Sequence, residues 1–124
     1  MIIRPANMKD YPVIFALYQS EKWLSFTEEK VTSLFSTNLS HYLVLEEDQK
    51  ILGFVRYLTD EVLTTFLAEI IIDKSHRRKG LGQQLIEEIY KKYPLTRIEL
   101  ISEADGFYRA ISFKPVGTGF RKSE

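Results

Sequence analysis

Residues 66–72 are apolar and rich in β-branched side chains, residues 83–92 repeat apolar positions at helical spacing, and Arg77-Arg78-Lys79-Gly80-Leu81-Gly82 lies between them. A strand that passes through a short glycine loop into a helix must cross to a parallel neighbour, so this segment predicts an α/β chain containing a βαβ crossover. Residues 97–102 alternate as the returning strand. The loop also has a chemical reading. The first turn of a helix carries N–H groups without intrahelical partners and the positive end of the macrodipole, which together favour an anion. Gly80 and Gly82 let the backbone approach it, while Arg77, Arg78 and Lys79 bring positive charge. A solvated basic turn closed by flexible glycines is the alternative.

Neither familiar nucleotide loop fits. The Walker pattern ends in Gly-Lys-Ser/Thr, which Gly82-Gln83-Gln84 lacks, and the Rossmann fingerprint needs a third glycine where Leu85 stands. What remains, Arg77-x-x-Gly80-x-Gly82 between strand and helix, resembles the acyl-CoA loop of the GCN5-related N-acetyltransferase (GNAT) superfamily. Ile70, Ile71 and Ile72 lead into it through Asp73-Lys74-Ser75-His76, with Lys74 where that family often has proline. Downstream, Phe107-Tyr108 and Phe113 are similar to its Phe-Tyr helix and closing Gly-Phe pair, with Ser112 in place of the glycine. Ile3-Arg4-Pro5-Ala6 and Asp10 look like its opening strand and first helix cap.

Composition bounds the rest. The chain has 124 residues, which suits one domain spanning 1–124 with a single core. Seventeen cations balance seventeen anions, so no global field recruits nucleic acid or an anionic membrane. Cysteine is absent, which removes disulfides, thiolate metal sites and a cysteine nucleophile. His41 and His76 lack acidic company and suggest no metal ligation. With no signal-like stretch and no long apolar run, the expectation is a soluble cytoplasmic protein.

Strand and helix signals alternate along the chain without repeats. A short strand at 2–4 precedes a helix capped by Asn7 or Asp10, with Tyr11, Ile14, Phe15 and Tyr18 on one face and Pro12 in its first turn. Thr27 caps a second helix carrying Val31, Leu34 and Phe35. Residues 41–46 and 51–59 read as an antiparallel hairpin, with Gly53 marking a bulge. A long strand at 62–73, the helix bearing Leu81, Leu85, Ile86 and Ile89, the strand at 97–102, a short helix at 104–111 and a last strand at 113–121 complete the reading. The expected architecture is a mixed sheet flanked by helices, antiparallel first and parallel at its centre; the resemblance implies that the sheet splays centrally.

The resemblance further implies transfer of an acetyl group from acetyl-CoA to an amine, with no metal required. An alkyl amine is almost wholly protonated at neutral pH, so something must accept its proton. Glu69 is the only acid in the central apolar strand and is the candidate base, directly or through water; a strand-edge carboxylate paired with a cation is the competing view. By resemblance Tyr108 lies beside the CoA sulfur and donates a proton to the departing thiolate, against the alternative of a core tyrosine. If the strands part after Ile70, Ile71 and Ile72, their main-chain groups can pair with pantetheine, and an N–H there can stabilise an oxyanion. Leu81, Gly82, Gln83 and Gln84 offer N–H groups to the diphosphate. Trp23, Tyr18 and Phe26 either wall the acceptor site or belong to the core, and Asp60 and Glu61 either attract a cationic amine or form a turn. A non-catalytic acyl-CoA-binding module of the same fold stays open, as does a homodimer.

Overall fold

A computed structural model describes residues 1–123. Five strands form one sheet in the order β1-β2-β3-β4-β5: β1 (Ile2–Pro5), β2 (His41–Glu47), β3 (Lys50–Thr59), β4 (Thr64–Ile72) and β5 (Arg97–Leu100). The first four are antiparallel neighbours and β4–β5 is parallel. The parallel pair therefore lies at the edge of the sheet, not at its centre.

Helices α1 (Tyr11–Ser20) and α2 (Glu28–Leu34) cover one face, where Ile14, Leu17, Tyr18 and Val31 pack against Tyr42, Val44, Phe54 and Ile71. Helix α3 (Leu81–Lys92) covers the other, burying Leu81, Leu85, Ile86 and Ile89 against Leu43, Leu45, Val55 and Leu67. Local chemistry explains the starts of these helices. Asn7 and Asp10 form a reciprocal capping box before α1, and the Thr27 hydroxyl accepts from the Lys30 N–H at the start of α2. Arg4 donates to both oxygens of Asp10 and to Glu46, tying the first strand to the first helix. Between β2 and β3 only Asp48 and Gln49 turn the chain, both at positive φ, as a two-residue hairpin demands.

Two bulges set the registers. In β3 the pairing skips Leu52 beside Gly53, as the glycine suggested. In β4 it skips Ala68, a position the sequence did not single out. Consequently Leu67 faces α3, whereas Glu69 reaches Tyr18 of α1 on the opposite face. A Cβ on Gly53 would sit 2.5 Å from Ile72 Cδ1 and 2.8 Å from the Ile71 carbonyl oxygen, and the latter cannot move without moving β4. Gly53→Ala is expected to lose about 1–3 kcal/mol of stability, read by urea denaturation; an unchanged midpoint would show that the sheet relaxes freely there.

One expected element does not form. Residues 113–123 contain no strand, and the exposed Val116 and Phe120 are 78% and 90% accessible. Pro115 lacks a donor, and Gly117 and Gly119 add backbone entropy without side-chain packing, so the segment has little to stabilise a ladder. A short helix, α4 (Asp105–Ala110), precedes it.

Candidate active site

The β4–β5 ladder ends at Leu67 and Leu100, yet β4 continues to Ile72. Beyond Leu67 one side of β4 has thus lost its partner. The Asp73 N–H donates to the Leu52 carbonyl, so by alternation Ile71 turns its main chain to β3 while Ile70 and Ile72 turn theirs to the open side. The structure divides the three isoleucines accordingly. Ile71 is committed to Phe54 and the core, which removes its main chain from the expected ligand set; the Ile72 carbonyl accepts from Arg77 Nε at 2.9 Å. Ile70 retains its outward N–H and carbonyl.

The loop following β4 presents the other half of the site. Gly80 caps α3 at φ +76°, a conformation that disfavours any residue with a Cβ. Gln84 N–H bonds to the Gly80 carbonyl, and among the described residues no acceptor takes the N–H groups of Leu81, Gly82 and Gln83. Three donors at a helix N-terminus are thus without a protein acceptor among the described residues. Gly82 is needed for a different reason: a Cβ would lie 3.1 Å from Phe107 Cζ, so its absence lets α3 seat against α4. The side chains of Leu81 and Gln83 are otherwise engaged, Leu81 in the core and Gln83 with Glu87, so their contribution at this end is main-chain.

The three cations do not share one role. Arg77 points its guanidinium away from the helix mouth, to the Ile72 carbonyl and, at 2.7 Å, to Glu21 at the end of α1. It braces the loop. Arg78, at φ +64°, and Lys79 are exposed and form no ion pair among the described residues.

Tyr108 of α4 lines, with Gln83 and Leu100, a cleft of about 1080 Å³ on the α3 face. Phe107 and Phe113 hold its ring edge-on at 4.9 and 5.5 Å. Burial raises the pKa of its hydroxyl, which has no hydrogen-bond partner among the described residues, so it stays protonated and free to donate.

Glu69 sits on the opposite face, paired with a cation as the competing view had it, in a network whose members the sequence did not name. Its side chain is 9% exposed. Arg56 Nε donates to Oε1 at 2.6 Å and Arg56 Nη2 to Oε2 at 2.7 Å, while the Tyr18 hydroxyl donates to Oε1 at 2.6 Å. The Tyr42 hydroxyl lies 2.8 Å from that of Tyr18 and completes the chain. Burial, reinforced by the Glu69 charge, drives the Tyr18 hydroxyl far above its ordinary range, and burial pushes Tyr42 up to about 12. Burial opposes the Arg56 cation, but its hydrogen bond and charge contact with Glu69 outweigh that and leave it raised. A signal was present: Arg56 is the only cation in the interior of its strand, as Glu69 is the only acid in the next. With three donors taken, one acceptor position remains on Oε2 for a water or an ammonium.

The aromatic trio is core and partly exposed wall at once. Tyr18 stacks on Phe26 at 4.1 Å, with Trp23 tilted at 6.5 Å, and the latter two are half-buried. Asp60 has a structural task, accepting from the N–H groups of Val62, Leu63 and Thr64.

The β4–β5 pair is parted and leads through a glycine turn into a helix N-terminus whose first N–H groups are unclaimed among the described residues. Residues 38–115 match the acetyltransferase (GNAT) domain, and the chain belongs to that family. A histone acetyltransferase, TAP1 of Glycine max, is 25% identical over an alignment of 96 residues that covers 73% of this chain and 42% of that protein. The chain thus spans under half the length of this curated relative. Among solved structures, the ribosomal-protein-alanine N-acetyltransferase of Brucella melitensis biovar Abortus 2308 superposes with TM-score 0.82 at 14% identity, covering 100% of both chains. The aminoglycoside N-acetyltransferase AAC(6')-Iy, solved in complex with CoA, gives 0.78 at 14% identity, covering 99% of this chain and 93% of that one. At such identities these likenesses establish the fold. No helix among the described residues is long and apolar enough to cross a membrane.

Proposed function

We propose that the protein is an N-acetyltransferase that passes the acetyl group of acetyl-CoA directly to a primary amine in a ternary complex. The observation that carries this reading is the set of three unclaimed N–H groups at Leu81, Gly82 and Gln83, beside the stretch of β4 that has lost its partner. They suit a diphosphate, with Arg78 and Lys79 adding charge at the rim. The open edge at Ile70 suits the amides of pantetheine, laid alongside β4 as an added strand.

Such an alignment brings the thioester to the gap where the two faces of the sheet communicate. The amine nitrogen attacks the carbonyl carbon, and the Ile70 N–H stabilises the resulting oxyanion. Before that attack, a water at the remaining acceptor position of Glu69 takes one proton from the ammonium and passes it to Oε2, whose bond from Arg56 stays in place. The C–S bond then breaks, the amide forms, Tyr108 protonates the leaving thiolate, and the second proton of the amine nitrogen is lost to solvent, from which Tyr108 is reprotonated. Half-buried Trp23 and Phe26, on the Glu69 side, are placed to wall the acceptor.

A panel of amines incubated with acetyl-CoA and the purified protein, followed by free-thiol release, tests this. Release with at least one amine is expected, together with thermal stabilisation by acetyl-CoA alone. Stabilisation without release across the panel would favour a binding module instead. Tyr108→Phe is expected to lower kcat by about 10²-fold or more while leaving the acetyl-CoA Kd within a few-fold. Unchanged turnover would remove Tyr108 from the chemistry.

A further inference from the structure

We infer, resting on the function proposed above, that Arg77 and Glu21 are a positioning pair through which the acyl-CoA loop sets the aromatic wall of the acceptor site. Arg77 stands in the basic loop but serves elsewhere. Its Nε donates to the Ile72 carbonyl at 2.9 Å and its Nη2 to Glu21 Oε1 at 2.7 Å. The planar guanidinium therefore ties the end of β4 to the end of α1, 56 positions earlier in the chain.

The turn that Arg77 grips is poorly able to hold itself. Glu21 is the C-cap of α1, where a carboxylate meets the negative end of the helix dipole and is disfavoured unless a cation answers it. The last turn of α1 supplies no basic residue. The helix then closes with the Lys22 N–H on the Gln19 carbonyl at 2.9 Å and the Trp23 N–H on the Tyr18 carbonyl at 3.3 Å. These two bonds make a Schellman turn, whose C′ residue takes the left-handed conformation and is usually glycine. Here it is Lys22, at φ +61°. Such strain persists only where the surroundings over-determine it, and Arg77 holds the residue immediately before. What the turn carries is the wall. Trp23 follows Lys22, the Phe26 N–H donates to the Trp23 carbonyl at 3.2 Å, and Phe26 stacks at 4.1 Å on Tyr18, which donates to Glu69. Arg77 thus acts on the acceptor side through Glu21, while its guanidinium is directed away from the N–H groups offered to the diphosphate.

Trp23 is the only tryptophan in the chain, so its fluorescence reports the wall without interference. Arg77→Gln and Glu21→Gln should each shift its emission to the red and raise its acrylamide quenching constant by about twofold, and the double variant should exceed neither, because all three break the same contact. The two side chains are 41% and 24% exposed, so each variant should melt close to wild type by circular dichroism. If one failed to fold, the other would decide. With the panel amine that releases thiol fastest, each variant should raise the amine KM by about tenfold and leave kcat within a few-fold. The acetyl-CoA Kd, from calorimetric titration, should also stay within a few-fold. Trp23 quenching unchanged in both single variants would overturn the proposal, as would additive effects in the double variant. So would an acetyl-CoA Kd raised by about tenfold in Arg77→Gln with the amine KM unmoved, which would return Arg77 to the diphosphate. If no amine were acetylated, the proposed function would fail on its own, and Trp23 quenching would still decide whether the pair sets the wall.

Discussion

Glu69→Ala is expected to destabilise the fold by about 3–5 kcal/mol, because it leaves Arg56 charged, largely buried and without its bidentate partner. Tyr18 loses its acceptor in the same step. The side chains of the pair are only 15% and 9% exposed, so solvent offers little compensation. Replacing both partners with apolar residues, as in Arg56→Met/Glu69→Leu, should recover most of that loss, since the cost lies in the stranded charge. Chemical denaturation of the two single variants and the double variant reads this directly. If Glu69→Ala alone melted like wild type, the network would be solvated and unimportant to the fold. Acetyl transfer separates the two roles: the double variant should be folded and still impaired, whereas full turnover by it would exclude Glu69 as the group that relays the amine proton.

Gly80→Glu is expected to raise the acetyl-CoA Kd by about 10²-fold or more, since a carboxylate would stand where three main-chain donors await a diphosphate. The same change should hardly affect folding. A Cβ at Gly80 meets no atom within 4 Å, so the cost is confined to the positive φ, about 1 kcal/mol, and an acid at a helix N-terminus offsets part of it. Gly80→Ala serves as the control, sharing the backbone strain without the charge. Calorimetric titration with acetyl-CoA distinguishes them; equal affinity in all three proteins would place the diphosphate elsewhere.

Much of the framework was legible because its signals are local. The apolar stripe of Leu81, Leu85, Ile86 and Ile89, the Thr27 cap and the glycine beside the β3 bulge each depend on near neighbours, and each lies where periodicity and capping chemistry put it. What escaped depends on pairing across the sheet. The Arg56–Glu69 bond joins adjacent strands in a register shifted by the skipped Ala68, and no local pattern announces a bulge at an alanine. Arg77 was read as a cation for the ligand because it stands in the loop, yet its stem is long enough to reach Glu21, 56 positions earlier. The strand expected at 113–121 failed for the opposite reason: its alternation was weak, and the contacts it makes, such as Phe113 with Tyr108, are between side chains and do not pair its backbone.

The skipped residue in β4 has a wider meaning. Side chains along a strand keep a period of two, and one extra residue resets the phase of everything after it. Upstream of Ala68, odd positions such as Leu67 look toward α3; downstream, even positions such as Ile70 and Ile72 do. Excising that single alanine would leave every side chain on its present side and merely regularise the ladder. Pairing Ala68 in place of skipping it would instead exchange the two sides of the strand from Glu69 onward, swinging the carboxylate into an oily layer and Ile70 toward Tyr18. A slip of one position in pairing, without altering any side chain named in the chemistry, would turn the machine inside out.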